Sequence, residues 1–60
     1  MTSWRYAVLE CVADRKLANA ALRGDRDTAY RRAVEIRNLI GSQDRQAARL
    51  ANRLMRRICA

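Results

Sequence analysis

The sequence predicts an all-α fold: three short helices, over about 3–23, 25–40 and 43–59, in a small bundle or hairpin completed by dimerisation. Three observations predict it. Proline is absent, and the chain is rich in alanine, leucine and arginine, the residues that lose least on entering a helix. Its two glycines, Gly24 and Gly41, stand where helix-length segments would end. The chain has 60 residues, and one this short buries only about 60% of the surface its unfolded form exposes. A second copy is the simplest way to complete such a core.

Ser3 is placed to cap the first helix, which runs through Arg23 and stops at Gly24, a position where a left-handed residue is favoured. This helix is apolar over more than one stripe. Trp4, Val8, Cys11, Ala18 and Leu22 fall on one side, and Tyr6, Leu9, Ala13, Leu17 and Ala20 on another. The strongly polar strip between them, Arg5, Lys16 and Arg23, is narrow. A helix apolar on two sides must bury both. The expected dimer interface is therefore Leu9, Ala13, Leu17 and Ala20; the alternative is a loosely packed monomer with an open groove for a partner. Asp25 or Asp27 caps the second helix, whose stripe is Ala29, Ala33, Ile36 and Ile40 and whose end is Gly41. Ser42 caps the third, with Asp44 in its first turn, where the helix dipole favours an acid. Ala47, Leu50, Ala51, Leu54 and Ile58 form its apolar face, flanked by Met55 and Cys59. No repeat, low-complexity tract or linker divides the chain, so residues 1–60 read as a single helical interaction domain.

Charge separates the last helix from the rest. The formal net charge is +7, yet residues 25–44 hold four arginines against Asp25, Asp27, Glu35 and Asp44. Residues 45–60 hold five arginines and no acid. Arg45, Arg49, Arg53 and Arg57 recur at i, i+4, with Arg56 beside them. Like charges at that spacing repel by a few tenths of a kcal/mol per pair, and no acid on the helix relieves them. Guanidinium forks grip carboxylate and phosphate alike, so these five arginines are the leading partner-binding candidates. The competing reading is a solvated face whose acids come from Glu10, Asp14 or Glu35 across the bundle. Trp4 and Tyr6 are candidate anchors for a partner at the other end of the chain, although such a Trp also serves to plug a small core.

The inventory is poor in catalytic chemistry. There is no histidine for proton transfer near neutral pH, and two cysteines are too few for a zinc site within one chain. Neither an enzyme nor a cofactor is expected. Glu10 and Asp14, four apart, read as partners for arginine rather than as a catalytic carboxylate pair. Arg5 and Glu10 interrupt the apolar run Ala7-Val8-Leu9, so no signal-like core forms, and no stretch approaches the ~20 apolar residues that cross a bilayer. Cys11 and Cys59 are then expected to be reduced, inert and at least partly buried, in a bacterial-type cytosol.

Gly24-Asp25 followed by Ala29 and Ala33, then Arg45 to Arg53 and Cys59, resembles the ANR-type small regulators. Those are helical proteins of similar length that bind and inhibit AraC-family transcription activators. The likeness spans roughly residues 13–59, with Ala33 and Ala51 where that family tends to carry tryptophan. The glycine-aspartate turn is also similar to half of a tetratricopeptide hairpin. Short Arg/Ala-rich helical proteins are typical of phages and mobile elements. Together these imply a non-enzymatic regulator or inhibitor that binds an acidic surface on a cellular protein. The alternative is a nucleic-acid-binding protein whose arginines neutralise phosphates. Against it stand the near absence of lysine, the lack of a Gly-rich loop, and a third helix with Asn52 only at the edge of its arginine face.

Overall fold

A computed structural model of the chain describes residues 3–11 and 14–59, with only the backbone at 11. The expected first helix is two helices, α1 (Trp4–Cys11) and α2 (Arg15–Arg23). Asp14 separates them. Its backbone is extended (φ −86°, ψ 118°), and its carboxylate accepts the Leu17 N–H at 2.9 Å, so it caps α2 instead of lying inside a longer helix. Aspartate is a poor interior residue and a favoured cap because its short side chain competes for backbone N–H groups. At the far end of α2, Gly24 takes φ 71°. Its N–H bonds to the Ala21 carbonyl at 3.1 Å and that of Asp25 to the Ala20 carbonyl at 2.9 Å, the paired closure of a Schellman turn. Arg5 reaches over from α1, donating through Nε to the Ala21 carbonyl at 2.7 Å and through Nη2 to that of Leu22 at 2.9 Å. The last carbonyls of α2 are thereby satisfied and α1 is tied to it.

Helix α3 (Arg26–Glu35) begins at Asp25, whose carboxylate accepts from the Thr28 N–H at 3.2 Å and from the Thr28 hydroxyl at 2.7 Å. The expected helix over 25–40 continues beyond Glu35 as one π-helical turn, Ile36–Ile40, closed by the Gly41 N–H on the Ile36 carbonyl at 2.9 Å. An i→i+5 closure takes one more residue per turn and shifts the phase of every side chain after it. The predicted stripe therefore splits. Ala29 and Ala33 are buried and Ile36 is half-buried, while Ile40 is 47% and Leu39 67% exposed. Gly41 is not left-handed (φ −63°); it is needed for space, because a Cβ would overlap the Arg37 carbonyl oxygen and approach the Ala48 Cβ within 2.9 Å. Helix α4 spans Arg45–Cys59. Its cap is Asp44, which accepts the Gln46 N–H at 2.9 Å, rather than Ser42, whose hydroxyl donates to the Leu39 carbonyl at 3.1 Å.

Helix α3 packs against both α2 and α4, and α1 also touches both. One core runs through all four helices: Val8, Leu17, Ala20, Ala21, Ala29, Ala33, Leu54 and Ile58. Only Val8, Leu17 and Ile58 among its fully buried members are large; alanines elsewhere bring the backbones close. Asp14 also clamps this core from the side. Arg32 of α3 donates to it through Nε at 2.9 Å and Nη2 at 2.7 Å, joining the start of α2 to α3. The radius of gyration is 10.3 Å, against ~10.4 Å for a self-contained globule of this length.

That closure revises the dimer argument. Leu17 and Ala20 are completely buried within the single chain, so they are not a surface for a second copy. The Gly24 turn folds α2 back on α3, and the break at Asp14 lets α1 reach both α2 and α4. Leu9 is 40% exposed, and Ala13 lies outside the described residues. Two of the four residues expected at the dimer interface thus belong to the core of one chain.

Candidate interaction face

Along α4 every buried residue, Ala51, Leu54 and Ile58, falls on one side. Arg45, Arg49, Arg53, Arg56 and Arg57 are all exposed on the other. Successive residues of a row at i, i+4 step about 40° around the helix axis, so the row from Arg45 to Arg57 sweeps roughly 120°. It starts opposite the core and ends beside the side of the helix that carries Leu50. Arg53 and Arg57 stand three and seven positions after Leu50, on its edge of the helix. The same solvent face presents Gln46 and Asn52, so it is less uniformly cationic than the sequence reading allowed.

Two of the three acids expected to neutralise this row are engaged elsewhere, and the third, Glu10, is exposed on α1. Asp14 and Glu35 both pair with Arg32, at 2.7 and 3.0 Å, and Asp25 lies 3.9 Å from Arg23. Among the described residues no ion pair reaches any arginine of α4. The Arg32 hydrogen bonds hold the Asp14 carboxyl below its ordinary range, overcoming the opposing effect of its partial burial. Thr28 does the same for Asp25 through its hydroxyl and its N–H. Arg32 in turn is held firmly protonated by Asp14 and Glu35. Among the described residues, electrostatic pairing thus serves α2 and α3 and reaches no arginine of α4.

Between α2 and α4, whose backbones stay apart although Leu17 and Leu54 share the core, lies an open groove of about 290 Å³. Buried Leu17, Ala51 and Leu54 lie at its base, and Asp14, Ile36, Ile40, Ala47 and Leu50 supply its accessible lining. Its one polar liner, Asp14, is already committed to the Leu17 N–H and to Arg32. The groove is therefore an apolar trough with an arginine edge. Sequence reasoning missed it because Ile36, Ile40 and Leu50 read as core stripe, and the π-turn that exposes Ile40 leaves no composition signal.

The predicted aromatic anchors separate. Trp4 packs against the core, with the Arg26 guanidinium 5.9 Å from its ring centroid, a cation–π contact that steadies the end of α1. Tyr6, two positions on and so on the opposite side of α1, is 65% exposed. A larger hollow of about 470 Å³, lined by Arg26, Asp27, Tyr30, Arg31, Ile58 and Cys59, lies on another side of the molecule. Cys59 is exposed there, not partly buried as expected, because it falls at the solvent edge of the last turn of α4. Among the described residues no three metal-ligating side chains converge, and no helix is long and apolar enough to cross a membrane. No protein-family model, curated protein or solved structure matches the chain.

Proposed function

We propose that the chain is a small non-enzymatic regulator or inhibitor that docks on an acidic surface of a cellular protein through the arginine face of α4. One observation carries the reading: five exposed arginines on one helix, none in an ion pair among the described residues, while Asp14 and Glu35 pair with Arg32. Three successive like-charge pairs at i, i+4 cost roughly 0.2–0.5 kcal/mol each in the free chain. An acidic partner removes that repulsion, and the +7 net charge speeds the encounter. The resemblance to ANR-type regulators points to an AraC-family activator as one partner class, and an origin in a phage or mobile element fits a short basic inhibitor acting in a bacterial cytosol. A homodimer is not required for this activity, since α4 offers its arginines from one chain.

The second reading is contact with nucleic acid, and Gln46 and Asn52 favour it, because side-chain amides on an arginine helix are the groups that read base edges. The two are separated by capture from lysate with the full chain as bait, in parallel with an Arg49→Glu, Arg53→Glu bait. A protein retained by wild type only, and undiminished by excess random duplex DNA, supports the first reading. Loss of all capture to the duplex, with a steep inverse dependence of duplex affinity on salt, supports the second.

A further inference from the structure

We propose that the groove between α2 and α4 receives the apolar edge of an acidic amphipathic helix from the partner protein, with Arg53 and Arg57 holding that helix's carboxylates. The proposal rests on the docking function above and adds to it the shape and chemistry of the occupant. At about 290 Å³ the groove sits at the bottom of the range for small-molecule sites, roughly 300–1,000 Å³, and it has no free polar group to orient a metabolite. Its accessible liners Ile36, Ile40 and Leu50 instead suit inserted aliphatic side chains. The stretch of α4 that walls it, from Ala47 to Leu54, is two helical turns long. An occupant helix lying alongside offers side chains at i, i+3 or i+4, and i+7 over the same distance.

Charge decides between occupants. A second copy of this chain would bring another +7 to a groove flanked by Arg53 and Arg57. A helix carrying glutamate or aspartate beside its apolar stripe meets those arginines with opposite charge. The α4 edge of the groove contributes arginine and Gln46, and the one acid that lines it, Asp14, has its charge paired with Arg32 at 2.7 Å.

The test uses two synthetic peptides of equal length and identical Glu/Leu/Ala composition. One has its leucines in a single helical stripe, and the other has them scrambled around the helix. Binding to the full chain is measured by fluorescence anisotropy and mapped by amide chemical shifts. The striped peptide is expected to bind at least about tenfold tighter, since each buried aliphatic anchor is worth about that much or more. Its shifts should centre on Ile36, Ile40 and Leu50. Ile40→Asp should erase the difference between the peptides, and Leu39→Asp, outside the groove, should leave it intact. Equal affinity for the two peptides would overturn the groove while leaving the arginine-face reading standing. No binding of either peptide at low salt would bring down both. Light scattering that gives twice the 6.9 kDa mass for the free chain, reduced to one chain by Ile40→Asp, would assign the groove to a second copy and overturn the proposal.

Discussion

Asp14 does two jobs at once, and replacing it separates them. As the cap of α2 its carboxylate takes the Leu17 N–H, worth ~1 kcal/mol when an aspartate cap becomes alanine. As the acceptor for Arg32 it makes two short charge-assisted bonds to side chains only about one fifth exposed, 23% for Asp14 and 19% for Arg32. That is better shielded than a surface ion pair but not buried, and Arg32 keeps Glu35 when Asp14 goes, so about 1 kcal/mol is appropriate. Asp14→Ala should then lose about 2 kcal/mol, against a total of roughly 3–9 kcal/mol for a domain of this size. In a 60-residue chain that is a fall in Tm of about 8–16 °C by circular dichroism. Asp14→Asn keeps a capping oxygen and should lose about half as much. The pH dependence has a definite sign. The folded carboxyl titrates below its ordinary 3.8, so its stabilisation is complete above that value and disappears as pH falls through the lower folded one. Wild type should therefore lose its advantage over Asp14→Asn only below about pH 4. A Tm for Asp14→Ala within 2 °C of wild type, or an advantage over Asn that persists below the folded value, would refute this account of the α1–α2 break.

Three further outcomes follow from the packing. Leu17→Ala should lose roughly 2–5 kcal/mol, a large share of the total, and melt far below wild type in circular dichroism, whereas Leu9→Ala, at a 40% exposed site, should melt within a few degrees of wild type. Gly24→Ala should cost about 1 kcal/mol in urea unfolding, since φ 71° is strained for any residue with a Cβ. Cys59→Ser should leave the helical signal and Tm unchanged with or without reductant, as an exposed thiol at the end of α4 supports no packing.

The periodic elements were legible where the periodicity was uninterrupted. The apolar face of α4, its arginine row, the Gly24 stop and the Asp25 cap follow from spacing and side-chain chemistry alone. Two departures came from single residues. Asp14 was read by its i, i+4 relation to Glu10, as one turn of a continuous helix, and its capping ability was overlooked; the dimer interface at Leu17 and Ala20 followed from that continuity. The π-turn at Ile36–Ile40 is closed by the Gly41 N–H on the Ile36 carbonyl, with Gly41 close against Ala48, and neither contact is encoded in the hydrophobic periodicity. The groove depends on that turn and on the separation of the α2 and α4 backbones, so it was legible only as the general possibility of an open partner site. The arginine face needed no tertiary information to be noticed. That Asp14 and Glu35 are taken by Arg32 did.

The central claim, that the arginines of α4 are a contact surface and not part of the fold, is tested most directly by Arg49→Glu with Arg53→Glu. Three repulsive pairs in the row from Arg45 to Arg57 become two attractive pairs and one repulsive one, each worth a few tenths of a kcal/mol. No ion pair among the described residues is lost. The measurement is the affinity of this variant and of wild type for the protein captured by the wild-type chain, with a thermal melt of each. The account predicts a Tm unchanged or slightly raised and an affinity lower by about a hundredfold or more, because like charges facing across an interface cost several kcal/mol. A folded variant that binds with wild-type affinity, or one that no longer folds, would contradict it.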